Sequence, residues 1–164
     1  MARTADNLMK MFTSGSESNI RYMAFAEAAD KEGCPNAAKI FRAIATAKMV
    51  QALSHFRATI YTATTAENLK QALEEETYDF KKAYPSMVQD AVKDDALEAR
   101  HSLEYGMSIG PVITKLISKA MGNADADESG AYYVCPVCGN IEFGKAPAKC
   151  PYCGVDASDF VSVS

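Results

Sequence analysis

Four of the five cysteines fall in one short stretch, as Cys135-Pro-Val-Cys138-Gly139 and Cys150-Pro-Tyr-Cys153-Gly154, with eleven residues between the pairs. Two C-x-x-C-G knuckles this close put four thiolates where one tetrahedral ion can take them. Gly139 and Gly154 let the backbone turn tightly after each second cysteine, so that its N–H groups can point at sulfur. Pro136 and Pro151 stiffen the two knuckles. Two disulfides are the other use of four such thiols. The first 134 residues hold only Cys34, however, which is not how a disulfide scaffold distributes its cysteines. The candidate metal ligands are therefore Cys135, Cys138, Cys150 and Cys153. Zn2+ there would make a structural ribbon, whereas Fe in the same cage would carry one electron, and the spacing suits both. Tyr132, Tyr133, Phe143, Tyr152 and Phe160 are the large side chains at hand to shield the cage. Cys34, in a Gly-Cys-Pro-Asn turn with no neighbouring His, reads as an incidental loop residue.

The elements that carry this motif divide the 164 residues unequally. Residues 1–122 show little turn chemistry and four long periodic segments. Apolar or small residues recur at Leu8, Met11 or Phe12, Gly15, Ser18, Tyr22, Phe25 and Ala29, then at Ile40, Ile44, Lys48, Gln51, His55 and Thr59. A third stripe runs Leu69, Leu73, Glu76, Phe80, Ala83 and Met87, and a fourth Leu103, Gly106, Gly110, Ile113 and Ile117. Spacings of three and four predict helices, opened by Pro35 in the second and by Thr64 or Thr65 in the third. Pro85 and Pro111 should kink or break the third and fourth. Four such helices predict an all-α antiparallel bundle over 1–122. A polar linker follows at 123–131, and then a four-cysteine metal domain over 132–164, too small to fold on an apolar core alone.

Charge follows the same division. Residues 1–122 carry fifteen basic and fifteen acidic side chains, so the net charge of −4 lies entirely in residues 123–164. Four thiolates around Fe3+ add about −1, and around Fe2+ or Zn2+ about −2. An acidic tail with no basic patch argues against nucleic acid and anionic membranes as partners. No run of about 18 apolar residues marks a membrane span, and the N-terminus has no secretion-signal pattern, so a cytoplasmic protein is expected.

A helical bundle followed by Tyr-Val-Cys-Pro-Val-Cys-Gly and Cys-Pro-Tyr-Cys-Gly resembles the rubrerythrin family, in which a ferritin-like di-iron bundle is joined to a rubredoxin-type domain holding iron on four cysteines. Further points of resemblance are Arg21-Tyr22-Met-Ala-Phe-Ala-Glu, Lys31-Glu-Gly33, Ile40-Phe41-Arg42-Ala43, Thr65-Ala-Glu-Asn-Leu69, Glu76-Thr-Tyr-Asp79-Phe80 and Tyr84-Pro85. The resemblance implies a Glu ligand on the first helix, Glu-x-x-His on the second and fourth, and carboxylates on the third. Counting from those landmarks, the positions are occupied here by Gly15, by Lys48 and Gln51, by Glu76 and Asp79, and by Gly110 and Ile113. Both histidines are gone and two acids remain. Glu98-Ala-Arg-His101 matches Glu-x-x-His in letters, but twelve residues early, about 18 Å of helix rise, and reads as surface.

The family's peroxide-reducing chemistry is accordingly placed last among three readings. The first is a one-electron carrier with iron in the four-cysteine cage, a lost di-iron site and a redox partner protein bearing a basic patch. The second is a Zn ribbon on a scaffold or docking module with no redox role. Resemblance also implies a homodimer. Lys48, on a core-facing position, is expected to pair with Glu76 in the volume the metal vacated. Gly15 and Gly110, small where the family is large, imply either close helix approach or a cavity, the cavity being a possible ligand or partner site.

Overall fold

The structure is a computed structural model and describes residues 2–59, 63–124 and 129–164. Its chain divides into two compact units, Met1–Thr62 and Ala63–Ser164. None of the described helices is long and apolar enough to cross a membrane. The anticipated linker at 123–131 lies partly, at 125–128, outside the described residues.

The first unit is a helix pair, α1 (Ala2–Lys31) and α2 (Pro35–Thr59). α1 ends where Gly33 takes φ 72, a left-handed conformation that glycine adopts without Cβ strain. There Cys34 N–H donates to Ala29 O at 2.8 Å and Gly33 N–H to Asp30 O at 3.1 Å, satisfying the last carbonyls before Pro35 opens α2. The seam between α1 and α2 is made of the smallest residues: Gly15, Ala26, Ala29, Ala38, Ala45 and Ala52 are buried. This differs from the expected stripes. Phe25 is 44% exposed and Ile40 60% exposed, and Gln51 is also exposed. Small side chains let two helix axes approach closely, so the seam takes the alanines and the larger residues fall outside it. Asn19 bonds across it to Ala45 O at 2.8 Å, and Arg42 meets Asp30 at 2.7 Å.

In the second unit, α3 (Thr65–Tyr78), a π-helical turn (Asp79–Ala83) and α4 (Tyr84–Lys93) form one helical run, followed by α5 (Leu97–Gly122). Thr64 caps α3 reciprocally: its hydroxyl accepts from Glu67 N–H at 3.3 Å, and the Glu67 carboxylate accepts from Thr64 N–H at 2.9 Å. The helical run is not broken at Pro85. A proline ring there would clash with the carbonyl four residues back in a regular α-helix, and the chain widens instead, Tyr84 N–H reaching five residues back to Asp79 O. One extra residue per turn shifts the phase: Ala83 and Tyr84 are both half-buried, and beyond them Val88 and Ala91 lie inward while Met87, on the expected stripe, is 50% exposed. α5 runs unbroken through Pro111, which sits on its exposed side.

The tail forms a three-stranded antiparallel sheet, β1 (Tyr132–Val134), β2 (Ile141–Phe143) and β3 (Val161–Val163), in the order β2-β1-β3. Tyr132 pairs with both Phe143 and Val163. The buried side chains of this segment are Cys135, Cys138, Cys150 and Asn140, so its interior is the cysteine cluster itself.

Removal of the Thr64 cap should be measurable in isolation from the metal. Thr64→Ala is expected to cost about 1 kcal/mol, read as a downward shift of a few degrees in the thermal midpoint of the helical signal with the visible spectrum of the metal-loaded tail unchanged.

Candidate metal centre

Each knuckle is built by the same four backbone groups. Cys135 N–H donates to Asn140 O at 2.8 Å and Gly139 N–H to Cys135 O at 3.0 Å; fifteen residues on, Cys150 N–H donates to Val155 O at 2.8 Å and Gly154 N–H to Cys150 O at 2.9 Å. Gly139 and Gly154 have φ 77 and 80, where a Cβ would be strained, which is why both positions are glycine. Asn140, 1% exposed, is held by a bond from its side-chain amide to Glu142 at 2.9 Å. The two ends of the second loop are tied by Lys149 and Asp156 at 2.8 Å.

These loops bring the four sulfurs within 4.8 Å of one another. Cys135 and Cys153 are 3.4 Å apart at sulfur and Cys138 and Cys150 3.5 Å. A metal–sulfur length of about 2.3 Å requires tetrahedral edges of about 3.8 Å, so the donors stand at binding distance. The set is all sulfur, soft and closed, which fits Fe or Zn and leaves no open coordination position. Burial alone would raise the Cys135 thiol, but N–H groups of Cys138 and Val137 and the neighbouring sulfurs of Cys153 and Cys138 bring it down to about 7. Burial pushes Cys138 and Cys153 up, against N–H bonds from Asn140 and Val155 respectively. A cation in the cage would overcome that burial penalty, since thiolate is the form that binds. The four predicted cysteines thus form one metal-binding site.

The cage does not stand on tail residues alone. Ile109 of α5, 3% exposed, belongs to one buried cluster with Cys135, Cys138 and Cys150, and Tyr105, Val112 and Ile113 pack against that cluster.

The other singled-out positions are distributed between the two units. In the first, Gly15 is a close-approach residue: a Cβ there would lie 3.1 Å from Ala52 Cβ. Lys48 is half-buried and its ammonium donates to Gln51 at 3.3 Å. In the second, Glu76 is half-buried and Asp79 exposed; burial, Asp79 and Glu75 all raise the Glu76 carboxyl. Lys48 and Glu76 belong to different units, and the bond that the structure gives Lys48 is the one to Gln51. Gly110 is buried against the aromatic run: a Cβ on it would overlap Phe80 Cβ and come within 2.7 Å of Phe80 Cγ. Gly106 does the same for Tyr84, whose ring would be 2.5 Å away. At Gly15 and Gly110 the alternative of close approach therefore holds. Glu98 and His101 are both exposed.

Phe80, Tyr84 and Ile109 were not singled out by sequence reasoning for these roles. A signal existed for two of them: Phe80-x-x-x-Tyr84 and Gly106-x-x-x-Gly110 repeat the same interval, large on one helix and small on the other. For Ile109 there was none, because nothing in the spacing links α5 to the knuckles.

Residues 133–161 match the family described as rubrerythrin, rubredoxin-like domain. Rubrerythrin-2 of Clostridium acetobutylicum is 27% identical, with 97% of this chain and 96% of that protein aligned. Nigerythrin of Nitratidesulfovibrio vulgaris is 26% identical over 92% of this chain and 81% of its own. A solved structure of nigerythrin in a mixed-valence state superposes with a TM-score of 0.60 at 23% identity, covering 98% of this chain and 86% of that one. That likeness shows the fold, ferritin-like helices followed by a rubredoxin-like segment.

The glycine seats give a direct prediction. Gly110→Ala should destabilise the second unit by about 1–3 kcal/mol through overpacking. In a Phe80→Gly background, where the obstructing Cβ and ring carbons are both absent, the same substitution should cost much less, and a double-mutant cycle by chemical denaturation measures the difference.

Proposed function

The chain is a member of the rubrerythrin family, and on that premise we propose that it is a one-electron carrier. Its redox centre is iron held by Cys135, Cys138, Cys150 and Cys153, and its helices no longer hold a di-iron pair. The observation that carries this reading is the contrast between the two sets of positions. Four sulfurs stand within 4.8 Å of one another, and they are the one group of three or more potential protein ligands found among the described residues. The family's other ligand positions hold two glycines, an isoleucine, a lysine and a glutamine, with Glu76 and Asp79 the remaining acids. A di-iron pair needs hard oxygen donors and imidazoles. Gly110 offers no donor, and its side-chain volume is taken by Phe80. The residues present do not fit that group.

Iron in the cage supplies a reversible couple between Fe2+ and Fe3+. The chain's own part is to hold four thiolates in fixed geometry, so that little rearranges as charge changes, and to aim N–H groups at sulfur. Val137, Cys138, Asn140 and Val155 provide those N–H groups, which soften the negative charge that accumulates on reduction. Electron exchange takes place with a partner protein in the cytoplasm. The partner presents a basic face to the acidic tail, giving salt-sensitive association. The chain acts as a homodimer, a reading supported by the large apolar residues outside the α1–α2 seam: Ile20 is 68% exposed, and Ile40 and Val50 are 60%.

Metal analysis with a visible spectrum of protein isolated from its native host tests the centre. The expected result is one iron per chain and a coloured species bleached reversibly by one electron. Three irons per chain would overturn the loss of the di-iron site, and one zinc would overturn the carrier. Chelation of the metal should unfold the sheet of residues 132–163 while leaving most of the helical signal, seen by far-UV circular dichroism.

A further inference from the structure

The tail provides few side chains able to keep water from its own cysteines. Phe143 is 43% exposed, Tyr152 42% and Val137 55%. Val155 and Phe160 pack against the buried cysteine cluster from the tail side, and the rest of the cover comes from α5. Tyr105, Ile109, Val112 and Ile113 follow one another at intervals of four, three and one, which places them on one face of that helix. Ile109 is the one among them that is fully buried within the cluster. Beside this contact runs a groove of about 600 Å3, bounded by Val112 and Leu116 on the helix and by Asn140, Ile141, Pro151 and Tyr152 on the knuckles. The groove thus runs along the edge of the contact, while Ile109 itself is 3% exposed.

We infer that α5 is the inner wall of the metal centre, and that Ile109, backed by Val112 and Ile113, is a positioning residue that lowers the reduction potential of the cage by keeping water from its sulfurs. The redox part of this inference rests on the proposal that the cage holds iron; the wall itself does not. The direction follows from charge. The cage carries about −1 with Fe3+ and about −2 with Fe2+. The cost of placing charge in an apolar surrounding rises with the square of that charge, so a dry wall penalises the reduced state more. Opening the wall should make reduction easier.

Position 113 gives the inference a second footing. By the family's register it would hold an imidazole ligand; here it is isoleucine and packs against the cysteine cluster. Its neighbour Gly110, at the position of a ligand glutamate, receives Phe80. Two ligand positions on one helix have thus gone to two different packing tasks, one against the cysteine cluster and one against Phe80.

The test uses the full chain reconstituted with iron, compared with Ile109→Asn and Ile109→Ala by potentiometric titration of the visible absorption. With the visible spectrum of the iron–thiolate cage intact, the reduced-to-oxidised ratio of Ile109→Asn at a fixed poise should rise about tenfold, which is about 59 mV for a one-electron couple. Ile109→Ala should move in the same direction by less. Val163→Asn, on the exposed end of β3, should leave the ratio unchanged. A second readout needs no iron: the zinc-loaded Ile109→Ala chain should surrender its metal to a chelator several-fold faster than the parent. If Ile109→Asn does not fold, the alanine variant and the release rate decide. An unchanged potential in an intact cage overturns the tuning role, and an unchanged release rate overturns the wall. A chain found to hold zinc in its host would end the carrier proposal and leave the release experiment standing.

Discussion

Four cysteine sulfurs held within 4.8 Å of one another, where only a bound cation lets all four be thiolates, are the constraint on which the second half of this molecule depends. Without a cation the arrangement is a cluster of buried groups whose ionised forms burial disfavours. With one, it becomes the strongest set of bonds in the segment. The tail has no alternative interior, since strands of three residues bury too little apolar surface to offset the entropy of ordering them. Everything else there serves the cage. Two glycines permit the turns, Asn140 is buried to fix the first loop, and the Lys149–Asp156 pair closes the second from outside.

The helices obey the opposite rule, in which absence of side chain does the organising. Ala26, Ala38, Ala45 and Ala52 with Gly15 allow α1 and α2 to approach, and Gly106 and Gly110 receive Tyr84 and Phe80. Contacts of this kind depend on shape, so one methyl group in the wrong place is felt. They also show how helices can be held together without a bound metal. A bound metal ties helices together through long polar side chains reaching inward. Small residues and flat rings tie them by direct contact, with no charge to bury.

How much of this could be read from the sequence depended on whether the signal was local. The knuckles were fully legible, because C-x-x-C-G carries ligand, spacing and turn together. The Thr64 cap was legible to within one residue, whereas the turn between α4 and α5 takes its left-handed conformation at Asp95 rather than at a glycine. The stripes were less so. Weighting positions by apolar size selects Phe25 and Ile40, while the seam was chosen by how closely two backbones could come, which favours Ala26 and Ala38. The partner of a glycine is also invisible from its own helix: Gly110 could mean a hole or a seat until Phe80 was placed over it. Tertiary neighbours of the knuckles had no sequence signal at all, and Ile109 meets them only through the packing of α5.

The π turn at Asp79–Ala83 has a consequence for how such chains are compared with one another. In alignment terms it is a shift of helical phase by one residue that the helix has absorbed into its backbone. No gap marks it and no change of composition announces it. A relative lacking the turn would align letter for letter up to Asp79, and from Tyr84 onward the same letters would point about 100° away. Residue correspondences drawn across that segment are correspondences of order along the chain, and those of facing direction have to be counted separately on each side of it.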